Sequence, residues 1–165
     1  MLDKMFQELC QLRALGDPRK VAVYYRQSRP EQTTNVSKTI QTVDLVELVQ
    51  RAGWPDEATI LVDLDAAKSG TLGIEDRDGI FYLMYELMAK DLVSLVVVQA
   101  VDRLFRDEDQ IDTNRFIKVC RLHNVQVLTL DILFNFNDPR YGEMLADVFR
   151  ELTGSAAQFI KHHVR

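Results

Sequence analysis

Four short runs of strand-forming residues constrain this chain most: Val21 to Tyr25, Ile60 to Val62, Leu95 to Val98 and Val125 to Leu130. Each is apolar almost throughout, so each calls for cover on both faces. Between them, apolar residues recur at helical spacing. Leu2, Met5, Phe6, Leu9, Leu12 and Leu15 do so over residues 1–15, and Ile40, Val43, Leu45, Val46, Leu48 and Val49 over residues 39–52. Gly16-Asp17-Pro18 stops the first of these helices, and Gly53 with Pro55 stops the second. Further helices are expected from an N-cap at Asp76 to about Lys90, from Asp107 to His123, and from Pro139 to about residue 163. This alternation predicts an α/β fold: a mostly parallel sheet of four to five strands with helices on both faces, plus a long C-terminal helix. The expected divisions are a helical extension over 1–18, an α/β domain over 19–137 and the long helix over 138–165. That helix meets no Gly or Pro after Gly154, as expected of one that continues in a longer protein.

Charge narrows the function. Lys and Arg total 20 against 25 Asp and Glu, a net charge of -5. A uniformly basic nucleic-acid coat is excluded, while a local basic pocket is not. Cys10 and Cys120 form no disulfide framework and no CxxC site, which suits a reducing, cytoplasmic setting. The longest apolar stretch, Leu92 to Ala100, is interrupted by Ser94 and Gln99 and is about half a membrane span, so no membrane partner is expected. Asp3, Lys4 and Glu8 are incompatible with a signal peptide.

In an open α/β sheet, ligands bind beyond the carboxyl ends of the strands. Those ends carry Arg26-Gln27-Ser28-Arg29, then Asp63-Leu64-Asp65 with Lys68-Ser69-Gly70, then Asp102-Arg103-Leu104-Phe105-Arg106. The histidines, His123, His162 and His163, lie at a helix end and in the C-terminal tail, away from Ser28, which argues against a Ser-His-Asp triad. There is no glycine-rich phosphate loop and no metal-ligand spacing, so neither a nucleotide cofactor nor a metal is expected. What remains is a serine beside guanidinium groups. Arginine stays charged, and its planar fork matches phosphate oxygens. Guanidinium groups would also favour the alkoxide of a nearby serine, so the chemistry suggested is serine attack on a phosphate ester. Other readings stay open for single residues. Arg103 and Arg106, three apart at a helix start, could be a solvated face, although the helix dipole favours acids there. Asp65 reads equally as a solvated strand-end carboxylate or as an arginine partner. Tyr24 and Tyr25 read as packing residues.

Tyr24-x-Arg26-x-Ser28 resembles the YxRxS segment of the serine recombinases, the resolvase/invertase family, and Asp102-Arg103-Leu104-Phe105-Arg106 resembles its DRLxR segment. Ser69-Gly70 and Asp76-Arg77-Asp78-Gly79 resemble the SG and DRxG elements between them, and Gln41 matches a glutamine on the first helix after the serine loop. Five such motifs, in order on a βα frame, cover about residues 20–150. The Gly53-Trp54-Pro55 turn and the long gap from Ser28 to Asp102 look more like the large serine recombinases.

The resemblance implies the catalytic domain of a site-specific recombinase working without ATP. Ser28 would attack DNA to give a 5′-phosphoserine and a free 3′ hydroxyl. Arg26, Arg103 and Arg106 would surround the scissile phosphate, with Arg77 and Gln41 supporting binding. Asp102 would orient an arginine or help protonate the leaving group. The implied partner is double-stranded DNA, gripped through domains outside this chain, in a homodimer that becomes a tetramer at paired sites. A bacterial, phage or mobile-element source is implied. The final helix would supply dimer surface. There the sequence departs from the pattern: where an AxxE segment is usual, Ala156-Ala157-Gln158-Phe159-Ile160 carries no carboxylate. Two other readings compete. One is a non-catalytic relative serving as an oligomerisation or regulatory module. The other is a receiver-like signalling domain, which Asp63, Asp65 and Lys68 fit poorly and which gives the arginines no role.

Overall fold

The computed structural model describes residues 2–26, 36–66, 68 and 71–163, with the backbone alone at 2, 36–42 and 155–163. Strands β1 (Lys20–Tyr24), β2 (Thr59–Val62), β3 (Val93–Val97), β4 (Gln126–Leu128) and β5 (Leu133–Phe134) form one sheet in the order β2-β1-β3-β4-β5. The first four are mutually parallel, and β5 runs antiparallel to β4. Alternation along β1 decides which helices cover which face. Val21 and Val23 join Leu95, Val97 and Leu128 on one side, beneath Met5 and Leu9 of α1 (Leu2–Ala14) and Leu45 and Val49 of α2 (Val36–Ala52). Ala22 and Tyr24 join Val62, Val96 and Val127 on the other. There they meet α3 (Asp78–Phe81) with its π-helical continuation Tyr82–Met88, α5 (Ile111–His123) and α6 (Gly142–His163). A single helical turn, α4 (Val101–Leu104), lies between β3 and α5.

Two sequence expectations place the site differently from what the fold shows. Asp76 is not an N-cap. Ile74–Asp76 form a 3-10 turn, and Arg77, with extended φ -127°, stands at the N-cap of α3. The helix expected from Asp107 begins at Ile111, because Gln110 takes the left-handed conformation at φ 66° and breaks it from α4. Arg103 therefore sits inside α4, and Arg106 sits in the connection rather than at a helix start. Other boundaries move less. Helix α2 begins at Val36, ahead of Thr39, and β3 begins at Val93, ahead of Leu95. The chain leaves β4 at Leu128, because the Thr129 hydroxyl accepts the amides of Asp131 and Ile132 in a turn that leads into β5. Pro139 lies in the turn before α6, where an Asp138 oxygen accepts the amides of Arg140 and Tyr141.

Candidate functional site: an arginine cluster at the carboxyl rim

The carboxyl ends of β1, β2 and β3 converge on four arginines. Arg26, just past β1, is 2% exposed. Its Nε donates to the Arg103 carbonyl at 2.8 Å, one Nη to the Asp102 carbonyl at 2.6 Å and the other to the Lys68 carbonyl at 3.1 Å. Arg77, fully buried, donates to the carbonyls of Leu104 and of Arg103, the latter at 3.3 Å, and to the Tyr24 hydroxyl. A one-turn helix cannot satisfy its own last carbonyls. Those of Asp102, Arg103 and Leu104 are satisfied by these two guanidiniums, with charges that suit a helix C-terminus. Two arginines thus fix the backbone that carries the other two.

Asp65 anchors this arrangement. The carboxylate is fully buried. It accepts the amides of Gly79 and Ile80, each at 2.8 Å, and so caps α3 from a distant loop. It also accepts the Tyr24 hydroxyl at 2.7 Å and lies 3.6 Å from Arg77 Nε. Of the two open readings of Asp65, the arginine partner is the one found. Tyr24 is buried, as a packing residue should be, yet its hydroxyl is a working link between Asp65 and Arg77. Burial, above all, pushes its pKa upward, so the phenol stays neutral. The glycine of Asp76-Arg77-Asp78-Gly79 is explained by the same carboxylate: a Cβ at 79 would stand 2.7 Å from the Asp65 carboxyl carbon.

The guanidiniums crowd one another at this rim. Arg103 is 7% exposed, and one of its Nη atoms lies 3.7 Å from Asp102, itself partly open to solvent. Its buried Nε has no hydrogen-bond partner among the described residues. Burial, then repulsion from Arg106 and Arg77, pushes the pKa of Arg26 down to about 9. Charges crowded in this way gain when an anion arrives. A groove of about 830 Å³ elsewhere, lined by residues such as Glu8, Leu12, Leu133 and Met144, shares no residue with the cluster.

Of the residues singled out from sequence, Arg26, Arg77, Asp102, Arg103 and Arg106 come together. Ser28 and the Ser69-Gly70 pair lie outside the described residues. Gln41 lies on α2 and Gln158 on α6, with only their backbones described. Sequence reasoning missed the Tyr24 hydroxyl, the Lys68 carbonyl and the link from Gly79 to Asp65. A glycine one residue into a helix was the available signal for a close approach. Among the described residues, no group of three or more His, Cys, Asp or Glu could hold a metal, and no helix is long and apolar enough to cross a membrane.

A mostly parallel α/β sheet with a cluster of arginines at its carboxyl rim defines the class of site. Residues 21–165 match the family model described as the resolvase N-terminal domain, and the chain belongs to that family. Among solved structures it is similar to a serine recombinase from Sulfolobus solfataricus, with 22% identity over 88% of each chain and a TM-score of 0.49. No curated protein sequence matches the chain.

Proposed function

We propose that this chain is the catalytic domain of a site-specific serine recombinase and that the arginine cluster receives a DNA phosphodiester. Family membership supports DNA recombination, with the DNA binding and oligomerisation that it entails. The observation that carries the reading is the gathering of four guanidiniums at one rim, close enough to join burial in pushing Arg26 down to about 9. The Ser28 oxygen bonds to phosphorus as the bond to the 3′ oxygen breaks. The products are a 5′-phosphoserine and a 3′ hydroxyl. The 3′ hydroxyl of a partner strand reverses the step, so the bond energy is kept without ATP. Arg103 and Arg106 neutralise the phosphate oxygens as charge develops. Arg26 adds its charge at close range while holding the α4 carbonyls, and Arg77 holds the same turn. Asp102 orients Arg103 or helps protonate the leaving oxygen, and Gln41 supports positioning.

In this reading residues 1–18 form an extension, 19–137 the catalytic domain and 138–165 a dimerisation helix leading toward DNA-binding domains. Synapsis takes a tetramer. The buried Trp54 at the Gly53-Trp54-Pro55 turn is in keeping with the large serine recombinases. The segment Ala156 to Ile160, without a carboxylate where an AxxE pattern is usual, favours a second reading, a non-catalytic oligomerisation or regulatory module.

A suicide duplex, nicked near a candidate site and offered to the full natural protein, separates the two. The recombinase reading expects a covalent adduct on a denaturing gel, with its 5′ phosphate blocked, that disappears in Ser28→Ala. DNA binding with no adduct in either protein establishes the regulatory module instead.

A further inference from the structure

Gly154 stands inside α6, where glycine weakens a helix. The reason lies across from it: a Cβ at 154 would sit 2.8 Å from Nε2 of Gln110. Gln110 is itself unusual, a non-glycine residue held at φ 66°. Its Nε2 donates to the Asp107 carbonyl at 2.8 Å, and its Oε1 lies 3.3 Å from the Thr153 hydroxyl, whose one proton it shares with the Arg150 carbonyl at 2.9 Å. Thr153 is fully buried and also accepts the hydroxyl of Thr113, likewise fully buried, at 3.2 Å. The Asp107 amide donates to the Thr153 carbonyl at 3.3 Å, and the Asp107 carboxylate accepts the Thr113 amide at 2.8 Å. These bonds tie α6 and the first turn of α5 to residue 107, the neighbour of Arg106. The same elements also meet through an aromatic ladder, Phe105 against Phe116 and Phe116 against Phe149, with centroids 5.3 and 5.7 Å apart. Ring packing holds surfaces together, whereas directional hydrogen bonds fix their register.

We propose that Gln110 and Thr153 form a polar clasp through which α6 sets the position of Arg103 and Arg106. Both are then positioning residues for the cleavage reaction inferred above, and this role rests on that reading. The left-handed turn at Gln110 places its amide group under α6, and the missing side chain of Gly154 makes room for it. A displacement of α6 that opens the Thr153–Gln110 bond frees the Arg106 end of the segment, while Arg26 and Arg77 still hold the α4 end.

The test uses the chain with nitrogen-15-labelled arginine, as Thr153→Val, Thr153→Ser and Gln110→Ala. Thr153→Val removes the hydroxyl while keeping the side chain's shape. The Nε–H resonances of Arg103 and Arg106 are expected to move in Thr153→Val and Gln110→Ala and to return in Thr153→Ser. Those of Arg19, at the other end of β1, are expected to stay in place. On the suicide duplex, Thr153→Val in the full natural protein is expected to slow adduct formation about tenfold at unchanged DNA affinity, with Thr153→Ser restoring it. Unmoved Arg103 and Arg106 resonances overturn the clasp whatever the DNA result. Moved resonances with an unchanged adduct rate overturn its role in the reaction. Moved resonances with no adduct from the wild type overturn the cleavage reading, and with it that role, but leave the clasp itself standing.

Discussion

Arg19 and Arg26 flank the same strand, and their partners differ in kind. Arg19 grips Asp17 through Nε at 3.0 and 3.1 Å and through an Nη at 2.8 Å, with Asp91 3.8 Å away. Its remaining bonds go to the carbonyl of Val93, at the start of β3, and to those of His123 and Asn124, which end α5. Hydrogen bonding to Arg19 holds the Asp17 carboxyl below its ordinary range, as expected of a satisfied ion pair. Arg26 instead bonds backbone carbonyls and faces three more guanidiniums. Both arginines fix a helix C-terminus. One is neutralised within the protein. The other belongs to a group of four guanidiniums that, among the described residues, has the Asp65 and Asp102 carboxylates beside it. That crowding of like charge, rather than arginine content, sets this end of the strand apart from a structural joint in a chain of net charge -5.

The largest effect should come from removing the anchor. Asp65→Ala leaves Arg77, the Tyr24 hydroxyl and two helix amides without their acceptor, and should cost about 3–5 kcal/mol by urea unfolding. Asp17→Ala, at the half-exposed end, should cost about 1 kcal/mol or less. Equal losses would break the contrast between the two ends. Gly79→Ala drives a methyl into the Asp65 carboxyl group and should cost roughly 3 kcal/mol, with loss of any anion binding. Smaller still, but opposite in sign, are two matched changes. Arg103→Met relieves repulsion and a buried unpaired nitrogen, and should raise stability by about 1 kcal/mol. Arg19→Met should lower it by about 1–2 kcal/mol. Thermal melts of the two variants that moved in the same direction would remove the distinction.

Much of this was legible because it is local. The strand runs, the helical periodicities and the arginine-bearing segments all lie within short windows. The pairing of Asp65 with Arg77 and Gly79 was not, because it closes across a loop and gives the carboxylate no local signature. Arg103 and Arg106 were read at a helix start. Periodicity is blind to the extended Phe105 that ends α4 and to the left-handed Gln110 ahead of α5, which leave Arg106 between the two helices. The fifth strand, Leu133–Phe134, is too short to alternate, and β4 supplies its reason to exist. Ser28 and Arg26 were both read from the end of the first strand and from the YxRxS segment; Arg26 is carried further by geometry, and Ser28 lies outside the described residues.

A pH dependence is expected as well. Burial, then the neighbouring guanidiniums, lowers the folded-state pKa of Arg26 from its ordinary value toward about 9, which makes it the arginine of the cluster most open to losing its charge in alkaline solution. A bound phosphodiester favours the charged form and raises that pKa, so binding takes up a proton. Affinity for dimethyl phosphate is therefore expected to hold below pH 9 and to fall by up to about tenfold per pH unit above it. Tyr24, raised by burial, does not share this titration.

The central claim is that the crowded arginines await an anion, and the Arg26 side chain reports on it directly. Carbon-13 titration of its guanidinium, alone and with saturating dimethyl phosphate, reads the proton itself. The account predicts a transition near pH 9 in the free protein that moves upward when the phosphodiester is bound. An Arg26 that stays charged past pH 11 without ligand, or a transition that ligand leaves in place, would contradict it.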